Sequence, residues 1–220
     1  MENFREDKQE NFIYIAFFTT STKMGRFIRF MTRNKYSHVA VSFNNDLHML
    51  YSFSRYSVNA PLVGGFVEES SLRYFYSNDK NIPVKVFAIP LSKERYDSAV
   101  CYIEEIKNDS QRYIYNSYSA MLVPFKKRLK IKYAYTCIEF AVAFLADCVL
   151  GDIIDKNSFY SIEGLEKILD RFLLKEGVLH TPDKSVEWGN DRYYLRYTKI
   201  KVIYNTLKHF TNLTKRLIRH

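Results

Sequence analysis

The chain has 220 residues and a mass of 26.1 kDa, which is the size of one domain, or of one domain with an appendage. Hydrophobic residues make up 47% and aromatic residues 16% of it, which excludes a disordered or low-complexity protein. The formal charge is +9, but eight of the 33 Lys and Arg residues, and none of the 24 Asp and Glu residues, lie in 192–220. Because residues 1–191 are nearly neutral, their charge is not that of a nucleic-acid binder.

The cysteine and histidine positions exclude several classes of site. Three cysteines cannot all pair with one another, and they form no CxxC knuckle, so we expect neither a disulfide framework nor a metal site. His180 and His209 have no partners at ligand spacing, and no cofactor motif is present. The charged N-terminus is followed by no apolar signal core, which favours a cytoplasmic protein. The three cysteines are Cys101, Cys137 and Cys148.

Up to residue 108 the pattern alternates between strands and helices. A hairpin is predicted around Asn44-Asn45-Asp46, because two β-rich runs flank this turn. Pro90 is expected to end the strand that precedes it. The predicted strands are 12–18, 37–43, 47–53, a strand entered through the Gly64-Gly65 turn, and 84–89; the predicted helices are 22–33 and 92–108.

The second half is mainly helical by its hydrophobic periodicity. An apolar helix is predicted over 135–150, with Thr136 as its N-cap and Cys137 in its first turn. A further helix is predicted over 161–174. The fold class is therefore α+β, with an antiparallel β-sheet packed against helices. We expect a domain over 1–190 and a basic amphipathic helical extension over 191–220.

Two of these residues could support nucleophilic chemistry. Cys137, at a helix N-terminus, faces the positive end of the helix dipole, which favours the thiolate. His38 begins a predicted central strand, and an imidazole beside the thiol could accept its proton and later protonate a leaving group. Each residue alone is also compatible with a purely structural role.

The order of these motifs resembles that of a known family. Ser37-His38-Val39 precedes a Gly-Gly turn, and Tyr135-Thr136-Cys137-Ile138-Glu139-Phe140 opens a helix about 100 residues later. This arrangement is similar to the circularly permuted, NlpC-type papain-like cysteine hydrolases, which include YiiX-like bacterial proteins. Lecithin:retinol acyltransferase-like enzymes share the order. The resemblance covers roughly residues 13–174 and implies a permuted papain-like fold.

The resemblance also implies roles for residues of this chain. Cys137 would be the nucleophile and His38 the general base and later general acid. The Cys137 N–H would help to form an oxyanion hole at the helix N-terminus. Tyr135, through its hydroxyl, and Thr136 are further candidates for the oxyanion or substrate site.

The third member of the site departs from the family pattern. The family places a polar residue about twelve positions after the base, and here that position is Leu50. We predict that Ser52 orients the ring instead, because pairing of the hairpin across Asn45 would bring it opposite His38. Tyr51 and His48 are the next candidates for this orienting role. Glu68 and Glu69 could approach from a later strand, but we expect both to be solvated.

Three functional hypotheses follow. The leading one is a thiol hydrolase that acts through a thioester at Cys137 on a small peptide, an amino-acid amide or a lipid ester. The second is a weak or inactive papain-like domain that binds a lipid or peptide ligand, with the basic helix 196–219 on an anionic membrane surface or packed on the protein's own core. A nucleic-acid binder using 126–132 and the tail is the least favoured.

Overall fold

The computed structural model describes residues 11–77, 81–180, 193 and 195–219. Within these residues the chain is α+β, as predicted. The strands are β1 (Asn11–Phe18), β2 (His38–Ser42), β3 (Leu50–Arg55), β4 (Gly64–Glu69), β5 (Asn81–Leu91), β6 (Ile114–Tyr115), β7 (Ala134–Tyr135) and β8 (Leu173–His180). The helices are α1 (Lys23–Thr32), α2 (Lys93–Asn108), α3 (Ser117–Leu122), α4 (Cys137–Phe144), α5 (Ile162–Leu169) and α6 (Lys199–Ile218).

These strands form one sheet in the order β7-β6-β4-β3-β2-β1-β5-β8. The pairing is antiparallel except between β6 and β7, which run parallel. The prediction of a wholly antiparallel sheet is therefore wrong at one edge. There, two-residue strands allow a parallel pair, because the connection from β6 to β7 passes through α3.

Each face of the sheet is covered by different elements. α2 and α4 pack against one face, over a core that contains the fully buried rings of Phe17, Phe87 and Phe144. On the other face lies the 3-10 helix Ser71–Ser77, whose Tyr74 stacks on Phe18 with ring centroids 4.2 Å apart. The N-termini of α1 and α4 both contribute residues to one cleft, which is described below.

Several predicted boundaries are wrong. The helix predicted over 161–174 ends at Leu169, and the apolar residues Leu173 and Leu174 begin the edge strand β8. β5 continues past Pro90, which is paired with Phe12 near the end of the ladder. The helix predicted from Tyr135 begins at Cys137, because Tyr135 belongs to β7. After Phe144 this helix continues as a π-helical turn, Leu145–Val149.

α6 is the basic helix predicted in the tail, and it packs on the body of the protein through one side of its C-terminal half. Leu213 is fully buried in a cluster with Ile114, Ile131 and Ala134. The predicted boundary at 190 lies outside the described residues. Among the described residues, no helix combines the length and hydrophobicity that crossing a bilayer requires.

Candidate active site

Cys137 is the first residue of α4, where a capping box fixes the start of the helix. The Glu139 N–H donates to Thr136 Oγ1 at 3.3 Å, and the Thr136 N–H donates to Glu139 Oε2 at 2.8 Å. The prediction of Thr136 as the N-cap is thus confirmed. By its position, the Cys137 N–H has no acceptor within the helix, so the thiol and an uncommitted donor lie at the positive end of the helix dipole.

His38 is the first residue of β2, a central strand of the sheet, and lies at one end of that strand. It is paired with Phe18, the last residue of β1, and its ring is buried. Nε2 of the ring donates to Glu69 Oε1 at 2.6 Å. Since Nε2 is committed to this carboxylate, Nδ1 is the ring nitrogen left for the thiol. Cys137 lies near the ring, since both residues line one cleft and Cys137 contributes to the raised pKa of His38.

The Glu69 carboxylate is fully buried but completely surrounded by donors. In addition to His38, the Tyr74 hydroxyl donates to Oε1 at 2.8 Å and Arg73 Nη1 donates to Oε2 at 2.9 Å. A buried charge is tolerated only when it is paired and hydrogen-bonded in this way. The carboxylate therefore fixes one side of the imidazole and forms an ion pair with each of two cations.

This network sets the charge of the ring. Burial alone would lower the pKa of His38, but the charges of Glu69 and the Cys137 thiolate, with hydrogen bonds to both, raise the pKa to about 10. Burial would raise the pKa of Glu69, but the charge and hydrogen bond of His38, then Arg73 and Tyr74, lower that pKa to about 2. At neutral pH the ring is consequently an imidazolium and Glu69 a carboxylate.

Cys137 and His38 line the same open cleft. Arg55, Arg73, Tyr115 and Tyr193 also line it. Arg55 donates to the Tyr193 hydroxyl at 2.9 Å. The cleft thus has cationic and phenolic groups around the thiol, with the compensating carboxylate of Glu69 held behind the ring.

Ser52 does not orient the ring. Its hydroxyl donates to the Val39 carbonyl oxygen at 2.8 Å. The register pairs Val41 with Tyr51, which is two residues away from the predicted register, because the connection between β2 and β3 runs over 43–49. The ring is bonded instead by Glu69, which the sequence led us to expect in solvent.

Tyr51 and Glu68 lie away from the ring. They are paired across β3 and β4, on the face opposite to Glu69. The Glu68 carboxylate forms an ion pair with Lys107 at 3.0 Å. The centroid of the Tyr51 ring lies 5.8 Å from that of Phe43. Neither residue lines the cleft that contains Cys137. His48, also considered behind Ser52, is exposed on the β2–β3 connection.

Tyr135 is packed among aromatic rings, with its centroid 5.2 Å from that of Phe53. Thr136 Oγ1 accepts the capping hydrogen bond from the Glu139 N–H, and neither residue lines the cleft that contains Cys137. Tyr115, which is paired with Tyr135 across β6 and β7, lines the cleft instead. Burial, and then the negative charge of Cys137, raise the pKa of Tyr115, which keeps its hydroxyl protonated.

Arg73, Tyr74 and Tyr115 were missed by the sequence reasoning. A signal for the first two was present, since Arg73 follows Glu69 by four residues and Tyr74 follows it by five. No signal in the sequence pointed to Tyr115, which reaches the cleft only through the short parallel pair.

The tail helix supports the strand that carries Tyr115. His209 of α6 is buried, and its Nε2 donates to the Tyr115 carbonyl oxygen at 2.9 Å. Burial lowers the pKa of His209, which favours the neutral ring there. Within the described part of the chain, no group of three His, Cys, Asp or Glu side chains could hold a metal ion.

Comparisons with models of protein families, with curated proteins and with solved structures found no match to this chain. The geometry of the cleft is therefore the basis for a functional proposal.

Proposed function

We propose that the protein is a papain-like cysteine hydrolase of the permuted type, with Cys137 as nucleophile, His38 as its acid–base partner and Glu69 as the group that orients the ring. The observation that carries the proposal is a single cleft in which a cysteine at a helix N-terminus meets an imidazole bonded on its far side by a buried carboxylate. This is the logic of a nucleophile–base–orienter triad. The chain order, with the base before the nucleophile, fits the permuted arrangement.

The first half of the proposed reaction is acylation. The Cys137 thiolate attacks the carbonyl carbon of an amide or ester, a sulfur–carbon bond forms, and the π-electron pair moves to the carbonyl oxygen. The Cys137 N–H and the Tyr115 hydroxyl are the donors we assign to that oxyanion. When the pair returns, the carbon–nitrogen or carbon–oxygen bond breaks, and the leaving group takes a proton from His38.

The second half is hydrolysis of the thioester. Neutral His38 removes a proton from a water molecule that attacks the thioester carbonyl, and the tetrahedral species expels the thiolate and the acid product. Acylation removes the thiolate charge that helps to raise the pKa of His38. The ring is thereby less basic in the acyl-enzyme than in the free enzyme, which favours release of its proton when the leaving group needs it.

His38 therefore begins the proposed cycle as an acid and acts as a base only in the second half, in contrast to the order of roles that the sequence suggested. The substrate classes we propose are a small peptide, an amino-acid amide or a lipid ester. We place the protein in the cytoplasm, where its three free cysteines remain reduced.

Selective alkylation of Cys137 tests the proposal. Cys101 is exposed and Cys148 is half-buried, so the measurement uses a Cys101→Ser/Cys148→Ser background in which only Cys137 can react. We expect fast reaction with iodoacetamide that persists below pH 7, because the imidazolium stabilises the thiolate. His38→Ala should slow the reaction at pH 6 by about tenfold or more.

Two matched single-cysteine proteins give the reference rates, one retaining only Cys101 and one only Cys148. Burial raises the pKa of Cys148 to about 11, so its rate defines an inert thiol. If Cys137 reacts no faster than these two, or if His38→Ala leaves its rate unchanged, the hydrolase proposal is wrong.

The second candidate function is a non-catalytic binding domain. It is favoured by the near-complete burial of Cys137, whose exposed fraction is 8%, and by the fully bonded Glu69, which would also serve a purely structural network. In this case the cleft binds a lipid or peptide, and the basic residues of 196–219 contact an anionic surface. Hydrolysis of a p-nitrophenyl ester separates the two, since only the first function predicts turnover that Cys137→Ala abolishes.

A further inference from the structure

The outward side of α1 is an exposed apolar surface. Phe27, Phe30 and Met31 have exposed fractions of 52%, 79% and 42%. Their spacing of three and four residues places them on one side of the helix. The opposite side, with Gly25 and Ile28, lines the cleft that contains Cys137. The exposed side chains therefore protrude from the helix that forms one wall of the cleft.

A second segment extends this surface. The 3-10 helix Val123–Phe125, which follows α3, lies against α1. Phe125 is 70% exposed and Met121 is 47% exposed. We call the set Phe27, Phe30, Met31, Met121 and Phe125 the α1 face.

The chain segments that carry the α1 face contain basic residues and no acidic ones. The chain has no Asp or Glu in 11–45 or in 110–138. Four exposed basic residues lie beside the apolar ones, and among the described residues none of the four is within 4 Å of a carboxylate; they are Arg26, Arg33, Lys126 and Lys127. Lys126 attracts Glu163 at longer range, but Glu163 is paired with Lys167 at 2.7 Å.

We propose that the α1 face docks on an anionic membrane surface. Protruding Phe and Met side chains ringed by Arg and Lys match the headgroup region of such a bilayer, where apolar groups enter the interface and cations contact the lipid phosphates and carboxylates. A second copy of the chain fits poorly. A two-fold interface would bring the same four basic residues of each copy together, and no acidic residue of the face would compensate them.

Docking in this way places the wall of the cleft at the membrane. Gly25 lies against the chain at Thr20, where an added Cβ would be 2.6 Å from the Thr20 carbonyl oxygen, so α1 is tightly fitted to the site on its inner side. The proposal concerns binding alone and does not depend on the hydrolase function, because no step of it uses Cys137 or His38.

Co-sedimentation of the full chain with lipid vesicles tests the proposal. We expect binding to vesicles that contain phosphatidylserine, weaker binding to pure phosphatidylcholine, and loss of binding in high salt. Phe27→Ser/Phe30→Ser should lower the affinity by about tenfold or more, because two apolar groups no longer enter the interface. Both side chains are exposed, so the fold should survive, and circular dichroism checks this.

The matched control is the α6 variant Ile200→Ser/Ile203→Ser. These residues are 82% and 61% exposed on a helix that is also basic, so the control removes equivalent apolar groups elsewhere. If the α1 face makes the contact, this variant and Cys137→Ala bind as the wild type does; if the tail makes it, as in the second candidate function, the α6 variant binds less. Arg26→Gln/Arg33→Gln should reduce the preference for phosphatidylserine.

Three results would overturn the proposal. The first is wild-type protein that does not bind phosphatidylserine vesicles at low salt. The second is a loss of binding in the α6 variant with none in Phe27→Ser/Phe30→Ser, which would move the membrane contact to the tail. The third is a wild-type dimer, seen by light scattering, that Phe27→Ser/Phe30→Ser converts to a monomer, which would make the face an interface between copies.

Discussion

Replacing Glu69 by Gln removes the charge at the centre of the candidate site while keeping the shape of the side chain. The Arg73 guanidinium, which is 5% exposed, then loses its carboxylate. Breaking one side of a buried ion pair costs about 3–5 kcal/mol. We therefore expect the free energy of unfolding of Glu69→Gln near pH 6 to lie below that of the wild type by about this amount.

The pH dependence of this difference is the sharper test. The pKa of His38 is raised to about 10 in the folded protein, from 6.5. The stability it contributes is fully present below pH 6.5 and is lost as the pH rises through 10. The loss amounts to about 1.4 kcal/mol per pH unit at its steepest and about 5 kcal/mol over the whole window. Without Glu69 most of this loss should disappear. The gap, which is the difference in free energy of unfolding between the wild type and Glu69→Gln, should therefore narrow as the pH rises.

Urea unfolding followed by circular dichroism at steps between pH 6.5 and 10 measures the gap. The comparison is repeated in a Cys137→Ala background, because Cys137 also contributes to the raised pKa of His38. A gap that stays constant across these steps would refute the reasoning. If Glu69→Gln does not fold, Glu69→Gln/Arg73→Met removes both charges, restores most of the stability and gives the same readout.

At acid pH the ionisation of Glu69 has the opposite effect, since stability is lost as the pH falls. The pKa of Glu69 is lowered to about 2, from 4.5, so the stability it contributes is present above pH 4.5 and is lost as the pH falls through 2. The wild type should lose stability in this window that Glu69→Gln has already lost, so the two unfolding curves should converge. Parallel curves below pH 4.5 would contradict the assignment of Glu69 as the buried anion.

Thr136→Ala should lower the free energy of unfolding by about 0.5–2 kcal/mol, because it removes the N-cap of α4, whereas Thr136→Ser should retain most of it; urea unfolding gives both values. Leu213→Ala should cost about 2–5 kcal/mol because Leu213 is fully buried, while Ile203→Ala, 61% exposed in the same helix, should change the stability by less than about 0.5 kcal/mol. Equal effects of the two would contradict the packing of α6 on the body. Tyr115→Phe should reduce kcat for a p-nitrophenyl ester on the order of 100-fold without slowing alkylation of Cys137, and an unchanged kcat would remove Tyr115 from the oxyanion site.

The local parts of the candidate site could be predicted from the sequence. Thr136 lies three residues before Glu139 and opens an apolar run, which is the pattern of a capping box, so the start of α4 and the position of Cys137 follow from neighbouring residues. The same holds for α1 and α2, where Thr22 and Ser92 are the N-caps. In each case the interaction spans three residues and needs no knowledge of the fold.

The orienting residue could not be predicted in the same way, because it depends on strand register. Asn44-Asn45-Asp46 has the composition of a tight turn, but the connection continues to Met49 and includes Leu47, which has a φ of 58° and is fully buried. A buried apolar residue in a left-handed conformation is not a feature that turn propensities indicate. The longer connection shifts the register between β2 and β3 by two residues from the predicted one, so Ser52 does not lie opposite His38.

The burial of Glu69 was equally inaccessible to sequence reasoning. Glu68-Glu69-Ser70-Ser71 has the composition of a solvated loop, and burial of the carboxylate depends on donors from His38, Arg73 and Tyr74. Two of these follow on the next 3-10 helix, and the third comes from a strand two positions away in the sheet. Such a combination becomes visible only when the tertiary structure is known.

The pleat of β4 gives two adjacent glutamates opposite environments. Glu69 is paired with Leu50 and is buried at His38, whereas Glu68 is paired with Tyr51 and reaches Lys107 at the surface. A slip of one residue between β3 and β4 would exchange these faces, directing Glu68 inward and removing Glu69 from the imidazole. The two glycines at the start of β4 oppose a slip in either direction. One direction would place Phe66 at the position of Gly65, where a Cβ would clash with the Tyr113 carbonyl oxygen, and the other would place Val63 at the position of Gly64, where a Cβ would clash with the Ser54 carbonyl oxygen. The charge state of His38 is thus coupled to a close backbone contact at the other end of β4. Substitutions at Gly65 are expected to change the pKa of the His38 ring without contacting it.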